Sequence, residues 1–320
     1  MTTTVDPYAD WYRQPLDGDD ILAGGSLIFL TLIFVPLYLL VVAVFVSAEK
    51  EIIGFRYLIS MAVADILCMI QYALLNGVAI LTKSRIVSVE GRTWLQFYID
   101  YTWFACCFHL PLMPGSRLLA IFSPYSFRLQ TRRTSYALCI IFGWIAPLIL
   151  ECATHFQPFI TTFYFEPALY GMTNDNFAKY ISDGHSQLFL VVNAIAALLP
   201  FLFYGIAIFI LLQHRLTLGG ASNRLLNVER KLILPCALSS VVFIIGQAAL
   251  IQGTGSGKWA AWLICLLFFI NSALQPILLI VFSEFVRKGV YRITMTSLGF
   301  ASPDAFTPVS ISMGTKHSRS

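Results

Sequence analysis

Charge is what this chain has least of. Asp, Glu, Lys and Arg make up 12% of its 320 residues, about half the share found in soluble domains, which excludes an ordinary solvated globular surface. Also missing is the strand-length alternation of polar and apolar residues that marks an outer-membrane barrel. What is present is hydrophobic sequence, 58% of the total, gathered into seven runs at about 21–46, 57–81, 94–121, 136–157, 186–212, 229–252 and 259–283. Each is near the roughly 20 residues that cross about 30 Å of hydrocarbon. Lipid offers the backbone no hydrogen-bond partner, so runs of this length are predicted to be helices. The expected fold is an all-α membrane protein, a seven-transmembrane helix bundle.

Orientation follows from the basic residues. With the N-terminus outside, 15 of the 21 Lys and Arg fall on the inner side and only Arg13, Lys83, Arg85, Arg92, Lys179 and Lys258 on the outer side. That bias predicts a multi-pass protein of the plasma membrane with its C-terminus in the cytoplasm. The first run follows Asp17, Asp19 and Asp20 rather than basic residues, and it is too long for a signal-peptide core. It is read as a retained span.

Other absences narrow the chemistry. The outer loops, about 82–93, 158–185 and 253–258, hold no cysteine, so no disulfide can join them. Cys68, Cys106, Cys107, Cys139, Cys236 and Cys265 fall within spans, and Cys152 lies near the outer end of the fourth. The outer segments carry no Asn-x-Ser/Thr sequon. His109, His155, His185, His214 and His317 are scattered without metal-ligand spacing, so no metal site is expected. The run Gly253-Thr-Gly-Ser-Gly-Lys258 has its first glycine misplaced for a phosphate loop and reads as an outer turn. No nucleophile elbow or paired-carboxylate pattern supports an enzyme, and no cofactor is implied. The net charge of +4 comes from basic residues scattered at helix ends, so no nucleic-acid partner is expected.

Several polar motifs remain inside the apolar runs. Phe55-Arg-Tyr-Leu-Ile-Ser-Met-Ala-Val-Ala-Asp65 ends on an intramembrane carboxylate. Ser116-Arg117-Leu-Leu-Ala-Ile-Phe-Ser-Pro124 closes the third run, with arginine and proline seven residues apart. Asn271-Ser272-Ala-Leu-Gln275-Pro276 lies in the seventh, and Phe282-Ser-Glu-Phe-Val-Arg-Lys288 follows it. In this order, with Trp144 in the fourth run and Pro200 in the fifth, they resemble the signatures of rhodopsin-like G-protein-coupled receptors. The likeness covers about residues 25 to 292 and implies a short amphipathic eighth helix after the seventh. It divides the chain into an extracellular N-terminus (1–20), a seven-helix receptor domain (21–292) and a cytoplasmic tail (293–320), which composition predicts to be disordered.

The departures are as informative. Ser116 stands where the family has an acid, Gln275 where it has asparagine, Leu279 where it has tyrosine, and Gln247 where it has the sixth-helix tryptophan. Arg92 sits about where a cysteine would begin the usual extracellular disulfide. These losses, with a short third inner loop, resemble the large nematode serpentine chemoreceptor families.

The resemblance implies a two-state bundle whose inner cavity admits the C-terminal helix of a Gα subunit. Its partners would be a heterotrimeric G protein, an extracellular ligand and the lipid bilayer. Arg117, with Ser116 and Pro124, is the expected contact at the cavity floor. Ser116 cannot hold the guanidinium by charge, so Glu229 at the inner end of the sixth helix is the expected closed-state partner, at about 0.5–1 kcal/mol for a partly exposed pair. Asp65 is expected to join Asn271, Ser272 and Gln275 in a polar network. In some family members a sodium ion sits there, but Gln275 and Leu279 do not favour one.

A small-molecule or peptide ligand should lie in the outer half of the bundle. Phe97, Asp100, Tyr101 and Phe104 are the candidates on the third helix, with His155, Asn193 and Gln247 from others and Glu151 and Gln252 as further polar points. The loop 158–185 could lid that pocket, and without a disulfide it is expected to be held only by packing. Two other classes stay open: a non-signalling seven-helix scaffold, and a channel or transporter, which would want an inverted repeat that is not seen.

Overall fold

The structure is a computed structural model that describes residues 7–218, 238–248 and 256–299. Five apolar helices cover the first five expected spans: α1 (Gly18–Ala48), α2 (Gly54–Leu81), α3 (Arg92–Phe122), α4 (Arg132–His155) and α5 (His185–Leu218). The seventh expected span is α7 (Lys258–Phe282). With α5 counted over its apolar part, these are the six helices among the described residues long and apolar enough to cross a membrane. The sixth expected span is represented by an apolar helix, α6 (Leu238–Ala248), while 229–237 and 249–252 lie outside the described residues. The architecture is a seven-helix bundle. The amphipathic α8 (Glu284–Ser297) follows α7, and the Ser283 hydroxyl accepts from the Val286 N–H at its start.

Side chains sort by helix face as the bilayer demands. Leu27, Tyr38, Phe45, Met69, Phe104, Phe243 and Phe269 are buried in a continuous core, whereas Phe29, Leu32, Leu198 and Phe209 are exposed on the outward faces. Without water to drive helices together, close backbone approach and internal hydrogen bonds carry the association. At the α1–α2 crossing a Cβ on Gly24 would lie 2.9 Å from the Gly77 carbonyl, and one on Gly77 would lie 2.8 Å from the Gly24 carbonyl. Only glycine fits on either side. Between α2, α3 and α4, the Trp144 indole N–H donates to Ser60 (2.9 Å), the Ser60 hydroxyl pairs with His109 Nε2 (2.9 Å), and His109 Nδ1 pairs with the Ala105 carbonyl (2.8 Å). This chain of bonds ties three helices through a neutral imidazole.

Two features depart from a uniform all-α reading. Wider π-helical turns interrupt α2 at Ile70–Leu75 and α4 at Cys139–Ile145; each inserts a residue and re-aims the face that follows. The connection between α4 and α5 is not a plain loop but an antiparallel hairpin, β1 (Phe163–Glu166) and β2 (Gly171–Asn174), with Phe163 opposite Asn174 and Glu166 opposite Gly171.

Gly77→Ala is expected to destabilise the bundle by about 1–3 kcal/mol through overpacking against a backbone that cannot yield. Gly25→Ala, one helix position from Gly24 with nothing within 4 Å of the added carbon, is the control and should not destabilise. Thermal unfolding of the detergent-solubilised protein compares them.

Candidate functional site

The bundle has two chemically distinct ends, one carrying the hairpin and one carrying Arg117. At the hairpin end, Glu166 is fully buried and is met by Arg85 at 3.2 Å and by the Tyr12 hydroxyl at 2.5 Å. Arg85 also donates to the Tyr12 oxygen, at 2.9 Å. Burial, reinforced by the Glu166 carboxylate, pushes the Tyr12 phenol well above its ordinary range, so it stays a donor. Asp20 at the start of α1 takes Lys83 at 2.9 Å and the Tyr170 hydroxyl at 2.5 Å. Lys258 reaches Asp19 at 2.7 Å, and the Arg92 guanidinium lies 3.8 Å over the Tyr164 ring. Thus the expectation that the loop is held only by packing is wrong. Ion pairs and phenol–carboxylate bonds clamp the hairpin to the N-terminal segment, the α2–α3 connection and α7. Tyr12, Arg85 and Glu166 are far apart in sequence, so no local pattern announced them.

The residues expected to line one ligand pocket divide into separate groups. Asp100, Glu151 and His155 place ligand-type atoms all within 4.8 Å of one another, and His155 makes an edge contact with Phe97 at 5.2 Å. Asp100 therefore faces α4 rather than the bundle centre. Tyr101 also looks toward α4, 6.3 Å from Trp144, while Phe104 packs on Phe189 of α5 at 5.4 Å. Asn193 accepts from the Trp103 indole at 3.1 Å, and Gln247 lines a cavity of about 10 Å³ with Trp103, Phe243 and Asn271. A second cavity, about 40 Å³, lies beneath the hairpin between Asn76, Arg85, Arg92 and Tyr164. These two spaces suit one or a few waters, not a drug-sized ligand.

Trp103 was not anticipated as a centre, yet it touches four other helices. It stacks on Phe243 of α6 at 5.8 Å, meets Phe268 of α7 edge-on at 4.7 Å and Tyr72 of α2 at 6.1 Å, and bonds Asn193 of α5. The sequence signal was only its place one turn below Phe97 to Tyr101 on α3.

The expected link between Asp65 and α7 is replaced by other partners. Tyr38 of α1 donates to one Asp65 oxygen at 2.6 Å, and the Cys106 thiol of α3 lies 3.7 Å from the other. Gln275 accepts instead from Ser239 of α6 at 2.6 Å, Asn271 lines the small cavity, and Ser272 is fully buried beside Pro276 in α7. With tyrosine absent at Leu279 and glutamine at 275, α7 turns its polar atoms toward α6, and a tyrosine from α1 serves the carboxylate.

At the other end Arg117 is buried, 6% exposed, and its guanidinium lies against Gly54 at the start of α2, where a Cβ would fall 2.6 Å from Nη1. Its Nε has no hydrogen-bond partner among the described residues. Ser116 bonds the Met113 carbonyl at 2.7 Å rather than its neighbour, and Pro124 opens a short helix, Pro124–Arg128, on the surface. Glu229 lies outside the described residues. Nearby, Glu49 holds Arg132 at 2.8 Å and Tyr136 at 2.8 Å, while Arg56 reaches Glu49, Ser135 and the Gln130 carbonyl. That cluster ties the α1–α2 connection to the start of α4.

Residues 27–295 match the model of the family described as serpentine type 7TM GPCR chemoreceptor Srv. The fold is similar to that of squid rhodopsin, with a TM-score of 0.72 at 16% identity over 95% of this chain and 93% of that one. At that identity the likeness concerns the fold. No curated protein sequence matches the chain.

Replacing Glu166 by alanine strands Arg85 and Tyr12. Because Arg85 is partly solvated, the expected cost is about 2–3 kcal/mol, below that of a fully buried pair. Hydrogen exchange should rise across 163–174 while the amides of α2 stay protected; uniform exchange behaviour would contradict the clamp.

Proposed function

The chain belongs to the Srv family of serpentine chemoreceptors, and from that premise we propose that it senses a small molecule or peptide at the hairpin end and activates a heterotrimeric G protein at the Arg117 end. The distribution of basic residues supports placing the hairpin and N-terminus outside the plasma membrane and Arg117 on the cytoplasmic side.

Arg117 carries the proposal. An arginine at a helix end ordinarily snorkels its charge to water, but this one is folded inward against Gly54. The end of a helix presents carbonyls with no intrahelical partner and a negative dipole end, so the C-terminal helix of a Gα subunit offers what the guanidinium lacks. Activation is then the release of Arg117 from the α2 face into a cavity opened by movement of α6. Glu229 is the proposed closed-state partner. Asp65, Asn271, Ser272, Gln275 and Pro276 form the proposed middle of the relay, and Phe97, Asp100, Tyr101, Phe104, His155, Asn193 and Gln247 the proposed ligand-side residues.

Gly54 supplies a specific lever. Alanine there would drive its methyl into the flexible end of Arg117 rather than into backbone, and alanine is favoured over glycine in a helix by roughly 0.5–1 kcal/mol. Gly54→Ala is therefore expected to raise agonist-independent Gα recruitment in cells at unchanged expression, and Arg117→Ala to abolish it, with Glu229→Gln raising it as well. If Arg117→Ala recruits Gα as wild type does, the coupling role is wrong. If neither wild type nor Gly54→Ala recruits any Gα, the scaffold reading replaces the receptor one.

A further inference from the structure

We propose that Asp100, Glu151 and His155 form a binding site for a divalent transition-metal ion of the zinc type, in the half of the bundle beneath the hairpin. The three side chains come from α3 and α4, all are at least nine-tenths buried, and one imidazole nitrogen and two carboxylate oxygens lie within 4.8 Å of one another. Ligand bonds of about 2.0–2.2 Å put the donor atoms of one tetrahedral metal roughly 3.3 to 3.6 Å apart, so a small change of rotamers closes the set. Sequence spacing hid it because the donors sit on two helices; only Glu151 and His155, four residues apart on one face, were visible as a pair.

The surroundings ask for a cation. Among the described residues no lysine or arginine pairs with Asp100 or Glu151, and both carboxyl groups are buried. Two such groups in a water-poor interior are costly unless neutralised. Their hydrogen bonding is also incomplete: Glu151 Oε1 and both ring nitrogens of His155 make no aligned hydrogen bond, although Oε1 and Nδ1 are 2.8 Å apart. Gln96, 1% exposed, donates to Asp100 at 3.2 Å and to the Thr161 carbonyl at 3.1 Å, and leaves its own Oε1 without a partner. The N–H side of the Gln96 amide faces Asp100, so the remaining coordination positions fall to water. His185 stands nearby, but its Nδ1 accepts from the Thr161 N–H at 3.2 Å, so the proton sits on Nε2 and the ring is a donor rather than a ligand.

A set of one nitrogen and two or three oxygens, with no sulfur, suits zinc, cobalt or manganese, and the usual affinity order favours zinc over manganese at equal geometry. The proposal does not depend on coupling to Gα. The two helices would be cross-linked by the ion at the edge of the ligand-side half, so metal occupancy would tune how readily α3 and α4 separate there.

The test uses the full chain, purified in lipid nanodiscs and titrated with Co²⁺ followed by Zn²⁺ competition. Wild type should show one saturable visible absorption band per chain, displaced by Zn²⁺. X-ray absorption at the zinc edge should report nitrogen and oxygen neighbours with an imidazole signature and no sulfur. His155→Gln and Glu151→Gln should each weaken binding by more than the roughly 10–100-fold that loss of an outer-shell partner costs. In the metal-free protein Glu151→Gln should melt close to the wild-type temperature, because the amide keeps the shape of the carboxyl group. Absence of a saturable band in wild type, sulfur in the metal's shell, or unchanged binding in both variants would each overturn the site.

Discussion

The constraint on which the rest of this molecule depends is the cost of a charge where water does not reach. A chain with so few charged residues still buries several, and most are answered by a specific neighbour. Asp65 is answered by Tyr38 and Cys106, Glu49 by Arg132 and Arg56, Asp20 by Lys83 and Tyr170, and Glu166 by Arg85 and Tyr12. Each answer comes from a different segment, so satisfying the charge also fixes which helices meet. Among the described residues the exceptions are Arg117 at one end and the Asp100, Glu151 and His155 group at the other, where the sets of hydrogen bonds are incomplete.

The hairpin shows the same economy. No disulfide is within reach of the hairpin among the described residues; Arg92 occupies the start of α3, and its guanidinium lies over Tyr164 on β1. The fastening is electrostatic and shared among α1, α7, the α2–α3 connection and the short helix Ala9–Arg13. Water or a polar ligand can compete for such bonds, whereas a disulfide would need a reductant.

Much of the fold was legible because it answers to one variable. Hydropathy over about 20 residues located the first five spans and the seventh to within several residues, since length against bilayer thickness leaves few alternatives. Ser283 and the amphipathic run behind it likewise read correctly as α8. What hydropathy could not carry was direction around each helix. The π-helical turns at Ile70–Leu75 and Cys139–Ile145 shift the faces that follow them, and no residue type marks them in advance. Side-chain partners were not legible either: Asp65 meets Tyr38 and Cys106, Gln275 meets Ser239, and Asp100 and Asn193 face different helices. The hairpin escaped for another reason: its strands are four residues each and are fixed by Glu166 and Tyr170, whose partners are more than eighty residues away.

The loss of the sixth-helix tryptophan, which looked like a lost switch, takes a different meaning beside Trp103. Gln247 is small enough to leave room at the centre, and the room is filled from α3 by an indole that stacks on Phe243, abuts Phe268 and Tyr72 and bonds Asn193. Packed interiors shift between discrete arrangements rather than deforming smoothly. Moving α6 outward would have to unstack Phe243 from Trp103, and the indole can then follow α6 or keep its bond to α5, but not both. The aromatic centre of the bundle thus sits on α3, the helix that also carries Asp100 and Arg117, so the packing of α6 against α3 rests largely on this one side chain.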